Sequence, residues 1–193
     1  MPDHSQTAPG DLEAVRRFIN TWSIPNLTRI EMDALPLLVS DPEVWRRDLS
    51  HYPRQPSDSL DKLLRLRSDL RQSSKSVNSH SEVLNDWFSN VALSVKVLSA
   101  GGAMALSVTP ADTTYVAYIL AVVANAIASG EWSRLKTCGD CQWAFYDHTR
   151  NGSKRWCGMT KGGPDGRACG TIAKVSAFRS REAARARGMP AKP

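Results

Sequence analysis

All four cysteines of this 193-residue chain lie between positions 138 and 169. The order is Cys138-Gly139-Asp140-Cys141, then 15 residues, Cys157, then 11 residues, Cys169. The segment around them is poor in core-forming residues. From Arg134 to Arg187 the large apolar side chains are Leu135, Trp143, Phe145, Tyr146, Trp156, Met159, Ile172, Val175 and Phe178. Such a stretch can hardly fold on packing alone, and metal binding supplies about 10–16 kcal/mol in comparable peptides. Four thiolates in a short basic segment suit one tetrahedral zinc ion better than disulfides. Cys-x-x-Cys lets two sulfurs grip the ion from a tight turn that Gly139 permits, and Cys157 and Cys169 supply the second pair. The bound site is formally doubly negative, and Lys136, Lys154 and Arg155 are close enough in sequence to offset it. Because an all-cysteine site leaves no open coordination position, the zinc is expected to be structural.

The rival chemistry is redox. Cys138-Gly139-Asp140-Cys141 matches a Cys-Gly-x-Cys dithiol, but that motif belongs at the end of a strand opening a helix, and no βαβ unit is readable here. No Ser-His-Asp arrangement, phosphate-cradling glycine loop or acidic cluster is visible, so no enzyme is expected. His148 follows Asp147 as an ordinary loop histidine, and His4, His51 and His80 form no constellation.

Charge divides the chain at the same place. Residues 134–193 hold 13 Lys/Arg against 4 Asp/Glu, whereas residues 1–133 hold 12 against 15. A slightly acidic body thus carries a basic, cysteine-bearing tail, which suggests a polyanionic partner for the tail. The N-terminus has no basic head followed by an apolar stretch, so secretion is not signalled and a cytoplasmic location is expected. The longest apolar run, Tyr115 to Ala128, is too short to span a bilayer and contains Asn125.

Hydrophobic spacing predicts a mainly α body. Residues 1–10 read as a disordered lead-in. Asp11 can cap a helix over Leu12, Val15, Phe18 and Ile19; a short element is expected from Glu31 to Val39, limited by Pro36; and Asp41-Pro42 opens another helix. Pro53 and Pro56 mark a loop. Ser57 or Ser59 begins a longer helix through Leu60, Leu63, Leu64, Leu66, Arg67 and Leu70, and Val83, Leu84, Trp87 and Phe88 again repeat helically. Leu93–Leu98 and Met104–Val108 instead alternate on either side of Ser99-Ala100-Gly101-Gly102, a β-hairpin signature. Pro110-Ala111-Asp112 should cap the most apolar helix, from Thr113 to about Ser129, with Gly130 ending it. The tail helix is expected from Thr171 to Arg187, ended by Gly188 and Pro190. Its stripe of Ile172, Val175 and Phe178 is expected to pack on the zinc site, beside a basic face of Lys174, Arg181 and Arg185. Trp143, Phe145, Tyr146 and Trp156 are read as filling a small core around the metal rather than as platforms for bases.

The run Cys138-x-x-Cys141-x-Trp143-x-Phe145-x-Asp147-x-Thr149-Arg150-Asn151-Gly152, then Arg155-Trp156-Cys157-x-Met159, resembles the CGNR-type zinc finger. The tetrapeptide that names that family matches Cys169-Gly170-Thr171-Ile172 here, so Thr171 and Ile172 stand where the family has Asn and Arg, with Lys174 close behind. The Cys157–Cys169 loop, with Gly162-Gly163-Pro164-Asp165-Gly166, is longer than the family's. Upstream, Phe18-Ile19-Asn20-Thr21 resembles the start of the associated ABATE domain of proteins described as stress-induced transcription regulators, and Leu64-Arg65-Leu66-Arg67 and Val83-Leu84-Asn85 resemble later landmarks.

The expected architecture is therefore α+β and mainly α: an ABATE-like helical domain with a hairpin (11–133), a zinc finger with its basic helix (134–188) and a short tail (189–193). The metal ligands are Cys138, Cys141, Cys157 and Cys169. The resemblance implies a DNA-binding transcription regulator, for which Lys154, Arg155, Lys174, Arg181 and Arg185 are the candidate nucleic-acid contacts. The body is left to sense a small-molecule effector or to mediate association, as in a homodimer. The alternative is a module with purely structural zinc that binds protein or small molecules and no DNA. No membrane partner is expected.

Overall fold

The computed structural model describes residues 6–49, 51–52, 55–74, 81–100, 102–159 and 168–186. His4, His80, Pro53, Gly101, the Gly162–Gly166 loop, Arg187, Gly188 and Pro190 lie outside them. The fold is α+β and mainly α, with seven α-helices among the described residues and three two-stranded antiparallel sheets.

The expected lead-in ends before residue 10. Gln6 and Ala8 are buried, and Gln6 donates to the Cys157 carbonyl at 3.1 Å. Helix α1 (Leu12–Ile19) buries Leu12, Ala14, Val15, Phe18 and Ile19, as its spacing predicts. Asp11 occupies the cap position but makes no side-chain capping bond, because its backbone is already helical (φ −68°, ψ −18°). The helix is entered instead through a turn at Gly10 (φ +49°), with Leu12 and Glu13 donating to the Pro9 and Gly10 carbonyls.

The Glu31–Val39 region splits. Met32–Asp33 (β2) pairs with Trp22–Ser23 (β1), and α2 (Leu35–Ser40) follows with Pro36 in its first turn, where a missing N–H costs nothing. Helix α3 (Pro42–Asp48) is capped as expected, with the Asp41 carboxylate accepting from the Glu43 and Val44 N–H groups. Ser59 caps α4 (Leu60–Ser73), and α5 covers Ser81–Ser89. The hairpin forms between β3 (Leu93–Ala100) and β4 (Ala103–Pro110), with Val95 opposite Val108 and Val97 opposite Leu106. Gly102 at φ +83° supplies the left-handed turn residue.

Helix α6 (Tyr115–Ala128) starts two residues later than expected and is capped by Thr114, not by the Pro110–Asp112 turn. Asp112 instead accepts from the Thr114 N–H and hydroxyl. The buried carboxylate of Asp58 accepts from the N–H groups of Tyr115 and Val116, which satisfies first-turn donors from 57 residues away. Gly130 (φ +79°) ends the helix as predicted. A 3-10 turn at Glu131–Arg134 leads into β5 (Leu135–Thr137), which pairs with β6 (Ala144–Tyr146), and α7 (Cys169–Ala186) closes the chain.

One core joins α1, α4 and α6. Tyr115 meets Phe18 and Trp45 edge to face, at 5.3 and 4.9 Å between centroids, each such pair contributing about 0.5–1.5 kcal/mol beyond its burial. Leu135, Ala144 and Tyr146 belong to this same core, so the β5–β6 hairpin is packed onto the body. Among the described residues no helix is long and apolar enough to cross a membrane.

His51 lies against this aromatic core, stacked on Tyr118 with its Nε2 3.4 Å from the Tyr115 hydroxyl, while its Nδ1 is buried with no partner among the described residues. Burial, reinforced by Arg17, lowers its pKa from 6.5 to about 4. The unfolded chain therefore takes up a proton near pH 6.5 that the folded chain refuses until about pH 4. Stability is full above that window and falls as pH drops through it. Urea midpoints should decline from pH 7 to 4.5 more steeply for the wild type than for His51→Phe; equal slopes would refute this origin.

Candidate metal centre

The first cysteine pair sits in the turn of the β5–β6 hairpin. Cys138 N–H donates to the Trp143 carbonyl, and Gln142 N–H returns a bond to the Cys138 carbonyl. The left-handed residue of this knuckle is Gln142 (φ +59°). Gly139 is not at positive φ, and a Cβ there would meet Trp156 Nε1 at an ordinary 3.9 Å, so the turn does not depend on glycine at 139. The chain enters β6 directly after this turn. Cys138–Cys141 thus does not open a helix, as a thioredoxin-like dithiol would.

Cys157 follows the loop after β6, and Cys169 is the first residue of α7, two positions earlier than the expected helix start. This entry is crowded at Gly170, where a larger residue would have to push the Met159 side chain aside. A Cβ there would lie 2.2 Å from Met159 Sδ and 3.3 Å from the Gly158 carbonyl, which Gly170 N–H reaches at 2.8 Å.

The four Sγ atoms all lie within 4.8 Å of one another, and all four cysteines are buried. Cys141–Cys157 and Cys157–Cys169 are separated by 3.5 and 3.7 Å. A tetrahedral zinc with Zn–S of about 2.3 Å demands S···S edges of about 3.8 Å. The donor set and its spacing therefore fit one zinc ion. Crowding splits the acidities. Cys138, accepting from the thiols of Cys141 and Cys157, is held far below the ordinary thiol range, whereas Cys141 and Cys157 are pushed up by their bonds to Cys138, and Cys169 chiefly by burial. Phe145 is fully buried among the cysteines, with Trp143 and Trp156 packed on the cluster. Three of the four aromatics thus fill the metal core as expected, while Tyr146 faces the body core.

Asp147 organises the loop that follows. Its carboxylate is fully buried, which alone would raise its pKa, but the Thr149 hydroxyl and N–H, the Lys154 N–H and the Lys136 ammonium hold it down at about 2. Lys136 reaches Asp147 at 3.1 Å and also donates to the Gly152 carbonyl. Its charge is spent on this loop rather than aimed at the sulfurs. Lys154 Nζ lies 5.4 Å from the Phe145 ring centroid, and the Arg155 guanidinium 5.7 Å from that of Trp156.

The candidate nucleic-acid contacts do not all converge. Lys154 and Lys174 line one open cleft of about 560 Å³ with Thr149, Arg150, Asn151, Ser153, Trp156 and Met159. Arg155 and Lys154 face a second concavity, which also touches Ser73, Ser74 and Cys138. Arg181 and Arg185 lie exposed farther along α7, where Arg185 pairs with Glu182 at 3.1 Å. Arg150 was missed by the sequence reading; its position in the loop that Asp147 folds is what brings it to the cleft. His148 is bonded through Nε2 to the Thr7 carbonyl.

The stripe on α7 does not pack on the metal site. Ile172, Val175 and Phe178 are 39, 42 and 58% exposed. Because Cys169 anchors the helix at its first residue, only Cys169 and Gly170 are buried among the described side chains of α7, and later turns lead away from the cluster.

Residues 134–182 match the model of the CGNR zinc finger family. The matched segment is the one that carries all four cysteines, Asp147, the cleft and most of α7. No curated protein matches the chain.

Proposed function

We propose that this protein binds nucleic acid, as a DNA-binding transcription regulator, through the zinc-stapled segment and the start of α7. The observation that carries this reading is the 560 Å³ cleft: Arg150, Lys154 and Lys174 converge on it, no carboxylate lines it among the described residues, and hydroxyls, an amide and the Trp156 ring complete its wall. Three cations without a counter-charge among the described residues of the cleft suit phosphates. Thr171 and Ile172 remove the amide and guanidinium of the family tetrapeptide, so contact here falls to the loop cations and Lys174. The zinc is structural, and the role is binding rather than catalysis, since four cysteines complete the coordination. A separate cavity of about 540 Å³, lined by Arg16, Arg17, Asn20, Leu38 and Trp143, lies where body meets knuckle and suits a small-molecule effector.

Binding of the zinc-loaded protein to random duplex DNA should fall steeply with salt. The Arg150→Ala, Lys154→Ala, Lys174→Ala triple variant should bind at least about tenfold more weakly, with a salt slope reduced by about one per cation removed. No binding at low salt, or an unchanged slope, would overturn the reading. The exposed stripe of Ile172, Val175 and Phe178 favours the second reading, a module that docks a protein partner on α7.

A further inference from the structure

The β3–β4 hairpin has one closed edge and one open edge. Asn125 of α6 behaves as a piece of strand: its Oδ1 accepts from the Val108 N–H at 2.8 Å and its Nδ2 donates to the Val108 carbonyl at 2.8 Å. Val108 therefore spends both backbone groups outside the hairpin, and its opposite residue Val95 is a non-hydrogen-bonded partner. By the alternation of antiparallel ladders, Leu93, Val95, Val97 and Ser99 then turn their N–H and C=O groups away from β4. Among the described residues nothing bonds to those groups. The side chains beside this edge are apolar and exposed: Val95 and Val97 at 64%, Leu106 at 65% and Met104 at 82%. The helix α6 supports the β4 side of the ribbon, while the β3 side is an open apolar edge of this length, a template for another strand.

We propose that β3 is a self-association edge, pairing antiparallel with β3 of a second copy to make a four-stranded sheet across a twofold axis. The edge is its own complement, since each outward N–H and C=O pair meets the same pair on an antiparallel copy. Asn125 blocks the other edge at Val108, so pairing closes at two chains instead of propagating into a fibre. A register centred on Val95 or on Val97 sets valine against valine and places Lys96 opposite Ser94 or Leu98 of the second copy, away from its own like charge. Pairing through one strand edge is a small contact beside the roughly 1,600 Å² of standard complexes, so a weak, concentration-dependent dimer is expected. This inference does not rest on the nucleic-acid reading.

Sedimentation velocity of the full zinc-loaded chain over a range of concentrations tests it, using wild type, Val97→Pro, Val95→Lys and Phe178→Ser. Proline at 97 deletes only an outward N–H and leaves the β3–β4 ladder intact. Wild type and Phe178→Ser should reach dimer mass, while Val97→Pro and Val95→Lys, with unchanged helical circular dichroism and zinc content, should dimerise at least tenfold more weakly. If Val97→Pro fails to fold, Val95→Lys decides the matter alone. A wild type that stays monomeric overturns the proposal, as does a dimer that Phe178→Ser dissociates and the β3 variants do not.

Discussion

Cys141→Ser should strip the protein of its zinc and unfold the segment from residue 134 onward. Cys141 is buried, its sulfur is 3.5 Å from that of Cys157, and among the described residues a small cluster of Phe145, Trp143 and Trp156 surrounds the four sulfurs. Structural zinc contributes about 10–16 kcal/mol to comparable segments, and a serine hydroxyl is a poor replacement for a thiolate. The damage will not stay local. Leu135, Ala144 and Tyr146 carry the β5–β6 hairpin into the main core, and Gln6 ties the N-terminal segment to the Cys157 carbonyl. We expect a loss of about 4 kcal/mol or more, which at 2–4 °C per kcal/mol lowers Tm by about 10 °C. Calorimetry with and without excess chelator checks it: chelation should lower the wild-type Tm by a similar amount and leave Cys141→Ser unmoved. A wild type indifferent to chelator would show that packing alone holds the segment.

The metal site was legible because its chemistry is written in residue type and spacing, and four thiols in 32 residues have few ways to be buried together. The β3–β4 hairpin was legible for a similar local reason, since alternation and Gly101-Gly102 specify both strands and turn. Two local caps were also readable, at Asp41 and Ser59, whereas Asp11 and the Pro110–Asp112 turn were not the caps their sequence suggested. What escaped was settled by partners distant in sequence. Asp58 completes α6 from across the fold, and Asn125, an interruption in an apolar run when read along the chain, is the group that closes the β4 edge. The short strands β1, β2, β5 and β6 have two or three residues each, too few for a period to register. The stripe on α7 misled because a helical pattern shows that a face is apolar, not which surface covers it.

Arg71 is the strongest case of a role invisible in sequence, and its replacement by alanine should be among the most damaging changes outside the cysteines. It lies on the buried face of α4, four residues after Arg67, where the spacing calls for an apolar side chain and not a cation. Yet its guanidinium is buried and bridges three backbone carbonyls, Gln142 at 2.6 Å, Ile19 at 2.5 Å and Trp22 at 2.7 Å, while stacking 4.4 Å above the Trp22 ring. Burial first, and the neighbouring Arg67 next, lower its pKa to about 10, which still leaves it charged at neutral pH. Alanine would leave those carbonyls without their donor at about 1–3 kcal/mol each before relaxation, so a net loss of about 4 kcal/mol is expected. Lysine would keep the charge but cannot span three acceptors, and should recover less than half of it. The Gln142 contact gives the change a second signature. Gln142 is the left-handed residue of the metal knuckle, so losing its anchor should weaken zinc retention against a competing chelator, although Arg71 touches no sulfur. Urea unfolding at saturating zinc measures the first effect and chelator competition the second. A cost under about 1 kcal/mol with unchanged zinc retention would mean that water replaces the guanidinium without penalty, and that the α4 contact does not steady the knuckle.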